Sequence, residues 1–224
     1  MKFIYRIISE IFLLISPFII FYRVIRGKEN LNRFLERYAS KSEKRKKGKL
    51  IWFHCSSVGE LLSIVPLIEK FENNIKINQI LVTTTTLSSS RIFSNFKFKK
   101  TIHQFFPIDN KIIIDKFLNY WKPSSLLLCE SEIWPNLIHS IHERKINLLL
   151  INARMTAKSF KRWKKIRNFS NQIFDKFVLS FAQNKETQNR LATLGAKNII
   201  NIGNLKFTTS KKVKTDFLDR KTSK

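Results

Sequence analysis

Residues 50–60 read LIWFHCSSVGE, an apolar run that stops at a short polar turn and a carboxylate. The run over residues 50–55 is typical of a strand buried on both faces. Residues 60–71 then place Leu61, Ile64 and Ile68 on one face of a predicted helix. A buried strand followed by an amphipathic helix is the repeating unit of a parallel sheet, because the helix returns the chain to the starting end of the sheet.

The same alternation continues through the rest of the chain. Further strands are predicted at residues 79–83, 102–106, 125–129, 148–151, 178–182 and 199–202, with helices between them at 88–96, 109–120, 132–143, 158–177 and 185–194. The pattern predicts an α/β fold with a parallel sheet and helices on both faces. No G-x-G-x-x-G or P-loop motif occurs, so neither a dinucleotide nor a Mg-ATP site is expected.

Composition limits the classes of function. The chain has 224 residues, 43% of them hydrophobic, which suits one domain with an appendage and excludes a disordered polycation. Lys and Arg number 42 against 16 Asp and Glu, so an anionic lipid, a phosphorylated substrate or nucleic acid is the expected kind of partner. Because the lysines are scattered and no known nucleic-acid-binding motif occurs, we do not expect nucleic acid. Cys55 and Cys129 form no C-x-x-C pair, so neither a disulfide framework nor a thiolate metal site is expected.

The amino-terminal segment predicts a membrane anchor helix over residues 1–26. Residues 3–22 read FIYRIISEIFLLISPFIIFY, with Pro17 expected to kink the helix. Only 16 residues separate Arg6 from Arg23, or roughly 24 Å of helix against a ~30 Å hydrocarbon core. A helix lying in the membrane interface and a buried core helix therefore remain alternatives.

A basic segment follows the anchor. Residues 27–49 form an amphipathic connector rich in Lys and Arg, and residues 41–49 read KSEKRKKGK. We interpret residues 41–49 as a solvated linker that also touches acidic headgroups. The excess of positive charge after the apolar run places the rest of the chain in the cytoplasm.

Polar residues cluster after the predicted strands, where parallel sheets bind ligands. The clusters are HCSSVGE ending at Glu60, TTTT at residues 83–86, ESE at 130–132, NAR at 152–154 and GNLKF at 203–207. Each of the glutamates could act as a general base or only as an acid that stabilises a helix start. His54 and His103 lack the spacing of metal ligands and are interpreted as structural or incidental.

HCSSVGE, TTTT, CESEIWPNLI, NARMTAKS and GNLKF, in this order, resemble the amino-terminal half of the 3-deoxy-D-manno-octulosonic acid (Kdo) transferase family. The resemblance implies a membrane glycosyltransferase that moves Kdo from CMP-Kdo to the lipid A precursor lipid IVA in lipopolysaccharide synthesis. It implies the GT-B fold, with residues 50–207 as a Rossmann-like acceptor-binding domain. It also implies an inverting reaction without metal or cofactor, at the cytoplasmic face of the bacterial inner membrane.

The resemblance assigns roles to individual residues. It implies that Glu60 is the proton acceptor and that Glu130 and Lys206 stabilise the transition state. The expected substrate-binding residues are Ser56, Ser57, Gly59, Glu132, Asn152 and Arg154.

The CMP-binding domain of the family has no counterpart in this sequence, and residues 208–224 are interpreted as a polar tail or a truncated interdomain linker. We therefore expect the chain to supply the acceptor-binding half and the base, and to transfer sugar poorly by itself. A separate carboxy-terminal fragment is a candidate partner. The alternative is a catalytically inactive, membrane-tethered module that binds acidic lipid.

Overall fold

The computed structural model describes residues 1–205, which form a seven-stranded sheet in the order β3-β2-β1-β4-β5-β6-β7. Every neighbouring pair of strands in it is parallel. This confirms the predicted parallel α/β sheet. The strands are β1 (Leu50–Cys55), β2 (Gln79–Thr84), β3 (Thr101–Phe105), β4 (Ser125–Cys129), β5 (Asn147–Ala153), β6 (Leu179–Ala182) and β7 (Ile199–Asn201).

Helices connect the strands and precede them. They are α1 (Lys2–Ile25), a 3₁₀ helix (Phe34–Tyr38), α2 (Val58–Glu72), α3 (Leu87–Phe93), α4 (Lys111–Trp121), α5 (Pro135–Glu143), α6 (Ala157–Lys165), α7 (Arg167–Phe174) and α8 (Lys185–Thr193). The stretch predicted at 158–177 is thus two helices, α6 and α7. Helix α5 begins at Pro135, three residues later than predicted. Proline fits the first position of a helix, and the residue before a proline disfavours the helical conformation.

Alternate residues of the strands enter two separate cores, one on each face of the sheet. Trp52 of β1 packs in the core that α4, α5, α7 and α8 cover. Phe53, the next residue, packs on the opposite face against Leu61 and Ile64 of α2. The sheet therefore has helices on both faces, as predicted, and both faces exclude water from the strands.

The strand order fixes where a ligand site can form. From β1 the chain adds β2 and β3 on one side and then crosses to add β4 to β7 on the other. The connections that leave β1 and β4 therefore diverge, and a crevice opens between them at the carboxyl edge of the sheet. The clusters at residues 54–60 and 130–132 lie at this point.

Helix α1 continues through Pro17. Proline has no N–H to offer the carbonyl of Leu13, four residues earlier. The hydroxyl of Ser16 donates to that carbonyl at 2.7 Å and compensates for the missing bond.

One stripe of α1 is attached to the domain. The Tyr5 hydroxyl donates to Asp109 at 2.7 Å, and the Asn136 amide donates to the Ser9 hydroxyl at 3.1 Å. Ser16 contacts the Tyr38 hydroxyl at 3.0 Å, and Ile20 is buried. The rest of the helix is an exposed apolar surface, formed by Phe3, Ile4, Ile7, Ile8, Ile11, Phe12, Leu14, Ile15, Phe18, Ile19, Phe21 and Ile25.

The first half of the basic connector packs against the carboxyl edge of the sheet. Arg37 is buried, and its guanidinium donates to the carbonyl oxygens of Thr85 at 2.6 Å and Phe106 at 3.2 Å. It also pairs with the buried carboxylate of Glu29 at 3.1 Å. Most of residues 41–49 are exposed, although Arg45 donates to the Trp121 carbonyl at 2.6 Å. The connector thus covers β2 and β3 as part of the domain.

A candidate active site at the carboxyl edge of the sheet

Glu60 lies in the first turn of α2 and faces back toward the end of β1. Its carboxylate accepts from the Ser56 backbone N–H at 2.8 Å and from the Ser57 hydroxyl at 3.0 Å. Ser57 is the N-cap of α2 and accepts from the Glu60 N–H at 3.3 Å. Ser57 and Glu60 thus pair reciprocally, as in a capping box, except that the carboxylate accepts from the N–H of Ser56 and not from that of the N-cap residue. These bonds explain locally why S-S-V-G-E starts the helix here. The helix cap therefore holds the carboxylate in a fixed position.

The surroundings of Glu60 favour its protonated form. Burial raises the pKa of Glu60, and the charges of Glu132 and Glu130 raise it further. Hydrogen bonds from Ser56 and Ser57 act in the opposite direction and only partly offset the increase. A carboxylate whose pKa moves toward neutral is better suited to accept a proton from a hydroxyl group.

Glu130 follows β4 in a backbone conformation that is unusual for its residue type. Its φ is +54°, in the left-handed region, and the residue is buried. Its N–H donates to the Ile151 carbonyl at 3.0 Å and its carbonyl accepts from the Arg154 N–H at 3.3 Å. Such a conformation costs about 1–2 kcal/mol for a residue with a Cβ, and this kind of strain is common at functional sites.

Glu132 lies two residues further along and has a different environment. Its Oε2 lies 3.3 Å from Nε2 of the buried His54 and accepts from the Trp134 indole N–H at 3.0 Å. Burial acts to raise the pKa of Glu132, but the interactions with His54, together with hydrogen bonds from Ser56 and Trp134, outweigh it. The pKa of Glu132 is therefore lowered, and this carboxylate stays ionised beside Glu60.

Asn152 supplies a second strained position, at the end of β5. Its φ is +49° and its side chain is fully buried. The side-chain oxygen accepts from the Leu205 N–H at 3.1 Å. Its Nδ2 is buried and makes no hydrogen bond with the residues that the structure describes. Arg154, next to it, is exposed.

The remaining predicted residues are placed as follows. The Ser56 hydroxyl contacts the Thr85 hydroxyl at 3.1 Å, and Gly59 is exposed in the first turn of α2. Lys206 lies outside the described residues, and so does the predicted tail at 208–224. Cys55 and Cys129 are both buried. Over residues 1–205, no group of His, Cys, Asp and Glu has the arrangement of a metal site.

His54 is the functional candidate that sequence reasoning missed. It was interpreted as structural or incidental, yet its imidazole lies against Glu132 and stacks on Phe106 with ring centroids 3.8 Å apart. Its position at the carboxyl end of β1, immediately before the polar turn, was the available signal. His103 contacts Arg33 and Thr84 instead, at 2.9 and 2.8 Å.

Solved structures share the architecture of this domain, a doubly wound Rossmann-like α/β fold. UDP-N-acetylglucosamine 2-epimerase from Rickettsia bellii superposes with a TM-score of 0.56 and 14% sequence identity, over 76% of this chain and 49% of that one. The enzyme of the same name from Neisseria meningitidis gives 0.55 and 16%, over 76% and 50%. Because these identities are low, the likeness concerns the fold alone.

Sequence comparison identifies the family. The family model described as 3-deoxy-D-manno-octulosonic-acid transferase (kdotransferase) matches residues 32–209. The 3-deoxy-D-manno-octulosonic acid transferase of Rickettsia bellii is 38% identical over 93% of this chain and 50% of its own length. A probable mitochondrial counterpart from Arabidopsis thaliana is 42% identical over 72% of this chain and 37% of its own length. The chain belongs to the Kdo transferase family, and it spans half or less of the length of these relatives.

Proposed function

We propose that this chain is the acceptor-binding half of a Kdo transferase, which moves Kdo from CMP-Kdo to a lipid A precursor such as lipid IVA. The observation that supports this most strongly is a group of three glutamates, Glu60, Glu130 and Glu132. They lie at the switch point of the sheet, where the connections that leave β1 and β4 diverge. In a family that transfers a sugar, a buried carboxylate whose pKa is raised is the natural proton acceptor for the attacking hydroxyl. We infer that the sugar is Kdo from the names of the relatives.

The proposed roles follow from the environments of the groups. Glu60 removes the proton of the acceptor hydroxyl as the oxygen attacks the anomeric carbon of Kdo and CMP departs from the opposite face, which inverts the configuration. Glu130 stabilises the transition state from its fixed left-handed position, together with Lys206. Ser56, Ser57, Gly59, Glu132, Asn152 and Arg154 line the acceptor site and bind sugar hydroxyl and phosphate groups. No metal or cofactor takes part in this proposal.

The proposed location is the cytoplasmic face of the bacterial inner membrane. Within residues 1–205, α1 is the one helix long and apolar enough to cross a membrane. Because contacts from Tyr5 to Ile20 attach one stripe of α1 to the domain, we propose that the helix lies flat in the interface with its apolar surface in the lipid. The formal net charge of +26 favours an anionic membrane and the phosphates of the acceptor.

The test is reconstitution with a donor-binding half. The chain is mixed with, or fused to, the carboxy-terminal half of the Rickettsia bellii relative, and Kdo transfer from CMP-Kdo to lipid IVA is measured. We expect transfer by the assembly and none by either half alone. Lipid IVA binding without transfer, in an assembly that binds CMP, would favour the alternative of an inactive acidic-lipid-binding module.

A further inference from the structure

A chain of hydrogen bonds runs from the core of the sheet to the crevice. It begins at the Trp52 indole N–H, which donates to the Thr83 hydroxyl at 2.9 Å. That hydroxyl lies 3.0 Å from Nδ1 of His54, whose Nε2 lies 3.3 Å from Oε2 of Glu132. Trp52, His54 and Thr83 are each fully buried. This series of hydrogen bonds therefore connects the interior of the domain to one of the three carboxylates of the site.

The donors and acceptors along this series of hydrogen bonds determine which nitrogen of His54 carries a hydrogen toward Glu132. Because the Glu132 carboxylate only accepts, Nε2 of His54 must carry the hydrogen of their contact. Nδ1 lies 3.0 Å from the Thr83 hydroxyl, whose oxygen already accepts from Trp52, and 3.2 Å from the Thr83 carbonyl oxygen. It accepts from the hydroxyl in the neutral imidazole and donates to the carbonyl in the doubly protonated one, and Nε2 carries a hydrogen in both states. The other acceptor near that hydroxyl, the Phe53 carbonyl, is further away at 3.4 Å. In both states Nε2–H points at Glu132 and Nδ1 has a partner in Thr83.

Aromatic rings hold the imidazole in place. His54 stacks on Phe106 at 3.8 Å with 22° between the ring planes, and Phe106 in turn contacts Trp134 at 5.1 Å. The Trp134 indole donates to the same oxygen of Glu132 that faces His54. These two donors hold Oε2 in place, and the hydrogen bond from Ser56 further constrains the carboxylate.

We propose that His54 is a positioning residue, which holds Glu132 through Nε2–H as a fixed acceptor for a hydroxyl of the acceptor sugar. Two neighbouring carboxylates thereby receive different roles: Glu60 takes a proton and Glu132 only accepts a hydrogen bond. The positioning by His54 stands on the geometry alone, whereas the sugar as ligand rests on the proposed function. The family resemblance had already implied a proton-acceptor role for Glu60 and a substrate-binding role for Glu132, whereas the role of His54 is inferred from the geometry.

The first test uses the unaltered chain. Two-bond ¹H–¹⁵N correlation spectra report which nitrogen of a histidine carries the hydrogen. We expect hydrogen on Nε2 of His54 at neutral pH. A neutral imidazole with its hydrogen on Nδ1 would overturn the proposal, because Nε2 would then oppose the carboxylate with a lone pair.

The second test uses a matched pair of variants and ¹³C-labelled glutamate. His54→Gln places an amide nitrogen near the position of Nε2, whereas His54→Asn reaches only the position of Nδ1. We expect the pKa of Glu132 to stay low in His54→Gln and to rise in His54→Asn, and unchanged values in both variants would contradict the proposal. Should His54→Asn fail to fold, Thr83→Val removes the hydroxyl with little change of volume, and we expect the pKa of Glu132 to rise in it as well.

The functional part of the proposal has a separate readout. In the reconstituted transferase, we expect His54→Asn to raise KM for the acceptor lipid at least tenfold while KM for CMP-Kdo is unchanged, and His54→Gln to restore most of the loss. Equal effects on both substrates would contradict a role in acceptor binding. An assembly that is inactive without any substitution would instead count against the proposed function, while the spectra still decide the positioning by His54.

Discussion

At the scale of single residues, the sequence predicted that the three glutamates would lie close together but not how their environments would differ. Glu60, Glu130 and Glu132 were selected because each follows a predicted strand, and parallel topology brings those ends together. Their different environments could not be predicted. The environment of Glu132 depends on His54 and Trp134, and that of Glu60 on the hydrogen bonds at the start of α2. The order of residues does not reveal these contacts.

Asp109 gives the stability of the domain a pH dependence. Burial raises the pKa of Asp109 from 3.8 to about 6, although hydrogen bonds from Tyr5, Leu137 and Asn136 act against the increase. The folded state thus binds this proton more tightly than the unfolded state does. The contribution of Asp109 to stability is therefore greatest below pH 3.8 and falls as the pH rises from 3.8 to about 6.

Urea unfolding at several pH values measures this dependence. The free energy of unfolding of the wild type, minus that of Asp109→Asn, should fall by ~3 kcal/mol between about pH 4 and pH 6. The subtraction removes the contributions of other titrating groups. A difference that stays constant over this range would show that Asp109 does not titrate there.

At the scale of elements, the alternation of strands and helices was predicted correctly, and the errors lie at boundaries. Helix α5 starts at Pro135 and not at residue 132, because Pro135 restricts Trp134. The sequence also left the orientation of α1 open. Its docking depends on Tyr5, Ser9 and Ser16, small or polar side chains within an apolar run, and their partners lie far away in the sequence.

Helix α4 ends at a residue with a strained backbone, and a substitution there should stabilise the protein. Lys122 is exposed and has a φ of +43°. Glycine adopts this conformation without a Cβ clash, so Lys122→Gly should raise the free energy of unfolding by about 1 kcal/mol. Lys122→Ala keeps the Cβ and should leave it nearly unchanged. Thermal or urea unfolding of the two variants compares them, and equal stabilities would mean that the strain is absent.

The outward surface of α1 should govern attachment to membranes. Phe18 is 76% exposed on this surface, whereas Ile20 is 6% exposed and faces the domain. Phe18→Asp should weaken binding to anionic vesicles at least tenfold, because ~1.5–3 kcal/mol of apolar burial is lost, and should leave the melting temperature unchanged. Ile20→Asp should instead lower the melting temperature. Vesicle binding by Phe18→Asp at the wild-type level would contradict a flat helix with this surface in the lipid.

At the scale of the whole molecule, charge and topology support the same account. The net charge of +26 suits an anionic membrane. The three glutamates of the site lie together at the switch point of the sheet, although acidic residues are few in this basic chain. The parallel sheet and its carboxyl-edge crevice could be predicted from the pattern of residues alone. The packing of the connector through Arg37 could not, because a run of basic residues usually indicates a solvated surface.

Binding to vesicles should accordingly depend on ionic strength. Raising the salt concentration from 0.1 to 1 M shortens the Debye length from about 10 to 3 Å, so binding to anionic vesicles should weaken strongly. Binding that is independent of salt would show that the apolar surface of α1 acts alone. Sedimentation of the chain with vesicles of roughly 20–30% phosphatidylglycerol, and with neutral vesicles as the control, measures the effect.

The central claim is that Glu60 is the proton acceptor of sugar transfer, and Kdo transfer by the reconstituted assembly tests it most directly. Glu60→Gln keeps the size of the side chain and much of the helix cap, while Glu69→Gln makes the same change on the exposed side of α2. The account predicts that Glu60→Gln lowers the rate of transfer by about 10²–10⁴-fold and that Glu69→Gln leaves it unchanged. Transfer by Glu60→Gln at the rate of Glu69→Gln would contradict the account.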